Sequence, residues 1–115
     1  MKWYIAKLVF NININNGSNT SQFDEQLRLI EASEPGTAFI KARSLGKSEE
    51  DSFLNEKGEN VTWEFIDVTD VQPLNELRHG AEIYTSTHKD DQPEEYINFI
   101  RLKALMIQSD ALVYA

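Results

Sequence analysis

The stretch WYIAKLVFNINI, residues 3–14, decides the fold because apolar side chains recur at every second position along it. One face carries alternate residues from Tyr4 to Ile14, and the other face carries Lys7 and Asn11. A period of two residues predicts a long β-strand. The first half is apolar on both faces, so we expect this strand to be central in a sheet or covered on both sides.

A second strand follows the first after a short turn. The segment NNGSNTSQ, residues 15–22, has the composition of a turn, and alternation resumes over Phe23–Ala32. These two strands are therefore predicted to form a hairpin. Farther along, the pattern predicts a third strand over Val61–Val71 and a fourth over Ala81–Thr87, with residues 47–60 as a charged loop between helix and sheet.

A helix is predicted between the second and third strands. Ser33 precedes a proline that suits the first helical turn, and the period of the apolar residues changes there from two to about 3.6. Ala38, Ala42 and Gly46 share one narrow stripe of this helix, so we expect the helix to lie close to the sheet. The predicted fold class is α+β, with a four-stranded, mainly antiparallel sheet in the order β-β-α-β-β-α.

The last predicted helix begins near Pro93 and has apolar residues on two separated stripes. Because exposure of both stripes would forgo much of the stability of a small domain, we expect one stripe to pack on the chain's own sheet and the other on an identical chain. The alternative is that residues 47–60 fold over the second stripe. The first stripe contains Tyr96, Ile97, Ile100, Ala104, Ile107 and Ala111, and the second, the predicted interface, contains Phe99, Leu102, Met106 and Val113.

Composition excludes several classes of protein. The net charge is −8, from 19 acidic and 11 basic residues, so nucleic acid and anionic membranes are not expected partners. There is no cysteine, which excludes disulfides and thiolate zinc sites and is compatible with a reducing cytoplasm. No secretion signal or membrane span is predicted, and a cytoplasmic location is expected.

The pattern of short motifs resembles a known bacterial family. These motifs are Trp3-Tyr4, Lys7-Leu8, Glu25, Glu31-Ala32, Asn55, Gly58-Glu59, Val61, Trp63, Phe65, Asp70-Val71, Leu74, Gly80, Glu82 and Tyr84. With them, residues 3–86 resemble domain of unknown function 4288, although Pro35 and Gly36 depart from its acidic helix start. The resemblance implies a bacterial cytoplasmic α+β domain and brings no known activity, cofactor or catalytic residue. We predict a single domain over 1–115, with 3–86 as the family-like core and 87–115 as linker and C-terminal helix.

Few residues point to chemistry. His79 and His88 stand alone in turn-like segments, so neither a metal site nor a cofactor is predicted. Carboxylates in apolar strands could act as acids or bases, and the candidates are Glu25, Glu64, Asp67 and Glu82, with Tyr84 or Arg28 as companions. The alternative for these carboxylates is a half-exposed sheet face or pairing across strands, as between Glu25 and a lysine.

The preferred function is therefore a non-catalytic binding or interaction module that forms a homodimer, with a further unknown protein partner left open. One alternative is a small enzyme or ligand-binding domain that uses Glu64, Glu82 and Tyr84 in a cleft. Another is an acidic inhibitor of a basic protein, which would use runs such as 49–51.

Overall fold

The computed structural model describes the backbone of residues 1–17 and 21–114 and the side chains of those residues up to Asp110. It contains, in chain order, β1 (Lys2–Asn15), β2 (Ser21–Ala32), α1 (Pro35–Ser48), β3 (Asp51–Leu54), β4 (Asn60–Leu74) and α2 (Pro93–Tyr114). The chain divides into two compact units, Met1–Tyr84 and Thr85–Ala115. The α+β class, with a four-stranded sheet and two helices, is confirmed.

The strands form one antiparallel sheet with the spatial order β2-β1-β4-β3. The predicted hairpin is confirmed, since β1 and β2 pair continuously from Lys2 opposite Ala32 to Asn13 opposite Ser21. β1 pairs on its other side with β4, and this ladder contains two register shifts, at Lys7/Leu8 and at Val9/Phe10. β1 is thus a central strand, as its apolar residues on both faces predicted.

The core lies between one face of the sheet and α1. Tyr4, Ala6, Leu8 and Phe10 of β1 are buried on that face, because alternate side chains of a strand point the same way. The helix contributes its predicted small residues, Ala38, Ala42 and Gly46, all of which are buried. α1 begins after Glu34, which is its N-cap residue, and not after Ser33 as predicted.

The third and fourth strands differ from the prediction. The segment 47–60 contains β3, and the third predicted strand, Val61–Val71, is the centre of the longer β4. The fourth predicted strand is wrong, because residues 81–87 form no strand. The four strands of the sheet are completed by β3 instead, which pairs with residues 60–63 of β4.

A tight turn built on Asn55 joins β3 to β4. The Asn55 side-chain oxygen accepts hydrogen bonds from the backbone N–H groups of Lys57 (3.0 Å) and Glu59 (2.9 Å). Gly58 has a φ of 76°, a conformation that side chains with a Cβ rarely adopt. Asn55, Gly58 and Glu59 were among the residues that carried the family resemblance, and their physical role is this hairpin turn.

Candidate functional site

The two predicted apolar stripes of α2 are both exposed in the chain. Ile97 and Ile100 of the first stripe are 44% and 46% exposed, and Phe99 and Leu102 of the second are 52% and 58% exposed. Met106 of the second stripe is exposed as well, and the prediction for Val113 lies outside the side chains that the structure describes. The predicted packing of the first stripe against the sheet, and of the second against another chain, stays a prediction.

Leu105 adds to the apolar surface of α2 and was missed by the sequence reasoning. It is 59% exposed and lies about 100° around the helix from both Met106 and Ala104, between the two stripes. The apolar pattern of the sequence could have shown it, because no charged residue separates Leu105 from Met106. α2 therefore carries apolar side chains on most of its circumference, which is unusual for a helix exposed to water.

Two of the four strand carboxylates form ion pairs on the surface. The Glu25 carboxylate is 3.2 Å from Lys7 Nζ, and the Asp67 carboxylate is 2.9 Å from Arg43 Nε. The hydrogen bond from Arg43, helped by the backbone N–H of Val68, lowers the pKa of Asp67. An Asp held as an anion by an arginine is not poised to give up or take a proton near neutral pH, so Asp67 serves as an ion-pair partner.

The remaining enzyme candidates lie in different surroundings. Glu64 lines a groove beside β3, whereas neither Glu82 nor Tyr84 is among the residues that line it. Glu82 is exposed in the segment that follows Gly80. Tyr84 lies near Lys7, whose pKa is raised mainly by the hydrogen bond to Glu25 and, to a smaller degree, by Tyr84 and Asp70. The structure therefore does not bring Glu64, Glu82 and Tyr84 together in this groove.

The groove beside β3 is acidic and has a volume of about 510 Å³. Its carboxylates come from Glu50, Asp51 and Glu64, and its other lining residues are Ser52, Thr62 and Trp63. Glu50 is already engaged, since it accepts hydrogen bonds from the backbone N–H of Phe65 (2.9 Å) and from Lys47 Nζ (3.3 Å). Both bonds favour the charged form, the backbone bond more strongly, and lower the pKa of Glu50. The groove suits a cationic group more than acid–base chemistry.

Neither histidine belongs to a cluster of metal ligands. Across residues 1–17 and 21–114, no group of three or more His, Cys, Asp or Glu side chains could hold a metal ion. The His88 ring contacts the edge of Tyr96 at a centroid distance of 5.2 Å. In the same described ranges, no helix combines the length and the hydropathy needed to cross a membrane.

Comparison with known proteins adds one relative and one family. Over 92 residues the chain is 25% identical to an aggregation substance of Enterococcus faecalis (strain ATCC 700802 / V583), a stretch that covers 75% of this chain. The chain spans only 7% of the length of that relative. No solved structure matches the chain significantly.

The family match covers unit 1 almost completely. The family model matches residues 3–85, which include α1 and, apart from Lys2, all four strands, and this range agrees with the 3–86 inferred from the short motifs. The motif residues have structural roles in this unit: Tyr4, Leu8 and Phe65 are buried in the core, and Asn55 and Gly58 form the β3–β4 turn. The chain therefore belongs to the family described as Domain of unknown function (DUF4288).

Proposed function

We propose that this protein is a non-catalytic interaction module that forms a homodimer through α2. The observation that carries the proposal is the exposure of large apolar side chains along α2, from 38% for Tyr96 to 69% for Ile107. Full burial of one such side chain is worth about 1.5–3 kcal/mol. Such a helix gains stability when another protein surface covers its apolar side chains. A second copy of the chain is the partner that is always present at the same concentration as the chain itself.

The second stripe is the proposed centre of the contact. Phe99 and Met106 lie on it one above the other, seven residues apart, and Leu102 lies between them. An aromatic residue flanked by Leu and Met is typical of the apolar centre of an interface. The name of the enterococcal relative refers to aggregation, which is in keeping with a role in association. A bacterial cytoplasmic setting is part of the proposal, since the composition without cysteine fits a reducing compartment.

Light scattering coupled to gel filtration tests this proposal directly. We expect the wild type to have the mass of at least two chains, and Phe99→Asp and Leu102→Asp to raise the Kd of the α2 contact at least about tenfold, because each change places a charge in the buried seam. Gln108→Asp is the matched control, since it introduces the same charge at the border of the stripes, and it should leave the mass unchanged. A wild type that stays monomeric while circular dichroism shows an intact helix would disprove the homodimer.

The acidic groove supports a second candidate function, docking of a basic protein. Glu50, Asp51 and Glu64 face one open groove in a chain whose net charge is −8. Attraction between such a surface and a basic partner weakens as salt rises. A basic partner that binds the wild type at low salt and binds Asp51→Lys/Glu64→Lys at least tenfold more weakly would support docking. Equal binding by the two proteins would exclude the groove.

A further inference from the structure

The sheet has two long edges, and one of them is blocked against pairing. β3 covers only residues 60–63 of β4, so the outer edge of β4 is open from Glu64 onward. There, the Glu50 carboxylate accepts the backbone N–H of Phe65 (2.9 Å), and the Asp67 carboxylate accepts that of Val68 (2.7 Å). Side-chain carboxylates thus occupy the donors that another strand would use.

Further features block the same edge. The ladder between β1 and β4 has two register shifts, which bend the strand and increase its local twist. Pro73, opposite Tyr4, has no backbone N–H to offer. Bulges, prolines and charges placed at an edge are the means by which proteins prevent edge-to-edge pairing. The β4 edge is therefore closed to another strand.

The edge formed by β2 has neither the register shifts nor the proline of β4. Its ladder with β1 is continuous, and β2 contains no proline. Lys41 Nζ donates to the Glu31 carbonyl (2.8 Å), which shows that Glu31 directs its backbone groups outward. Because backbone groups alternate along a strand, those of Phe23, Glu25, Leu27 and Leu29 also point outward. Among the described residues, no backbone–backbone hydrogen bond outside the sheet ladders engages the outward groups of 23–29.

We propose that residues 23–29 of β2 pair antiparallel with the same residues of a second copy about a two-fold axis, which joins the two four-stranded sheets into one. Exposed apolar side chains favour this pairing: Phe23 is 66%, Leu27 48% and Leu29 58% exposed. The inference goes beyond the proposed function, because it uses a surface of unit 1 and does not require the contact through α2.

Charge decides the register. With the axis at Gln26, Asp24 lies opposite Arg28 of the other copy, which also pairs with Glu49 of its own chain, and Phe23 lies opposite Leu29. With the axis at Glu25, two glutamates face each other, and with the axis at Arg28, two arginines do so, which disfavours both registers. An axis at Leu27 brings no opposite charges together. Gln26 is also the midpoint of the free segment, which ends where Lys41 engages Glu31.

A single introduced cysteine tests both pairing and register. At the axis, the two Gln26 residues form a pair without backbone hydrogen bonds between them, with Cα atoms about 4.5 Å apart, within the range of about 4.4–6.8 Å that disulfides span. The natural chain has no cysteine, so Gln26→Cys supplies the sole thiol. Leu54→Cys is the control, since Leu54 is 70% exposed on β3 at the opposite end of the sheet order. We expect Gln26→Cys to form a disulfide dimer under mild oxidation at least tenfold faster than the control.

The same measurement in a Phe99→Asp background separates this inference from the proposed function. Rapid cross-linking there, in a protein whose α2 contact is lost, would show that β2 pairs independently. A rate equal to that of Leu54→Cys in both backgrounds would overturn the β2 pairing, whatever the light scattering shows for α2. Conversely, an unchanged mass for Phe99→Asp together with rapid cross-linking would refute the α2 dimer alone.

The Gln26 side chain forms hydrogen bonds with Asp24 (2.7 Å) and Arg28 (3.0 Å), and Gln26→Cys removes both. Because this variant could misfold, the pairing is also tested on the unmodified chain. Hydrogen exchange read by mass spectrometry should show the outward amides of Phe23, Glu25, Leu27 and Leu29 exchanging at least tenfold faster on dilution below the Kd of the β2 contact. Exchange in this segment that does not depend on protein concentration would contradict the pairing.

Discussion

At the scale of single residues, Gly46 sets how closely α1 approaches the sheet. A Cβ added at Gly46 would overlap the Phe65 ring, which is itself buried against Phe10 at a centroid distance of 5.5 Å. Gly46 was predicted from its spacing with Ala38 and Ala42 as part of a close-packed face, and all three residues are buried. The need for a glycine at this position depends on Phe65, which lies on a strand distant in sequence.

Gly46→Ala tests this contact. Alanine favours a helix over glycine by about 1 kcal/mol, whereas overpacking of a core costs about 1–3 kcal/mol. Because the ring has little space to move, we expect the overpacking to dominate and the free energy of unfolding to fall by about 1–2 kcal/mol in urea denaturation. Gly36→Ala, also in α1 but with open space around its Cβ, is the control and should not destabilise the protein. A more stable Gly46→Ala would contradict the close contact.

The carboxylates of the predicted catalytic set show what sequence alone can reveal at this scale. Pairing of Glu25 with a lysine across strands was one of the two alternatives drawn from the sequence, and the structure identifies that lysine as Lys7. The pair between Asp67 and Arg43 was not predicted, since it joins β4 to α1 across 24 residues and needs the packing angle of the helix. Positions within an element follow from period, but partners across the fold require the tertiary structure.

At the scale of elements, the edge of β4 depends on two carboxylates, one from just before β3 and one from β4 itself. Glu50, just before β3, is bonded to the Phe65 N–H, and Asp67 is bonded to the N–H of its neighbour Val68. Their pKa values are lowered, that of Glu50 chiefly by Phe65 and that of Asp67 chiefly by Arg43. A carboxylate whose pKa is lowered in the folded state stabilises the fold fully at pH values above its pKa in the unfolded chain. This stabilisation is lost as pH falls through the lowered pKa.

Glu50→Ala tests the role of this carboxylate at the edge. We expect the variant to aggregate faster than the wild type at pH 7, as measured by turbidity over hours, because it exposes the Phe65 N–H. Its loss of stability should be greatest at neutral pH and should shrink as pH falls through the lowered pKa of Glu50. Glu49→Ala is the control, since Glu49 pairs with Arg28 (2.7 Å) and blocks no edge donor. Equal aggregation of both variants would show that Glu50 does not protect the edge.

Long elements were predicted and short ones were not. β1, β2, α1 and α2 each have a sustained period, and their existence and order are confirmed. β3 was missed because it has only four residues in a charged segment, although Asn55 and Gly58 offered a turn signal. The alternation over residues 81–87 predicted a strand that does not form. A strand also needs an open sheet edge to pair with, which alternation alone does not provide. The edge next to β4 is closed by Glu50, Asp67 and Pro73.

At the scale of the whole molecule, unit 1 contains a complete core. Every residue of the buried cluster lies in unit 1, between Tyr4 and Val68, and the family match ends at residue 85. The core is formed by β1, β2, β4 and α1. If α2 serves association, as we propose, unit 1 should fold without it.

A chain that ends at Tyr84 tests this division. We expect it to unfold cooperatively, with a Tm within about 4 °C of that of the full chain measured under dissociating dilution, a shift that corresponds to about 1 kcal/mol in a domain of this size. The measurement is thermal unfolding followed by near-ultraviolet circular dichroism of Trp3 and Trp63. Loss of the cooperative transition would show that unit 1 depends on the residues after 84.

The central position of β1 has a consequence for synthesis on the ribosome. β2 follows β1 directly, so the hairpin can form early, whereas β4, which pairs with the other side of β1, begins at Asn60 and ends at Leu74. Closing so long a loop is slow compared with forming a hairpin. While residues 33–74 are being translated, the edge of β1 that later pairs with β4 has no partner strand. The nascent chain would need chaperones most during this interval.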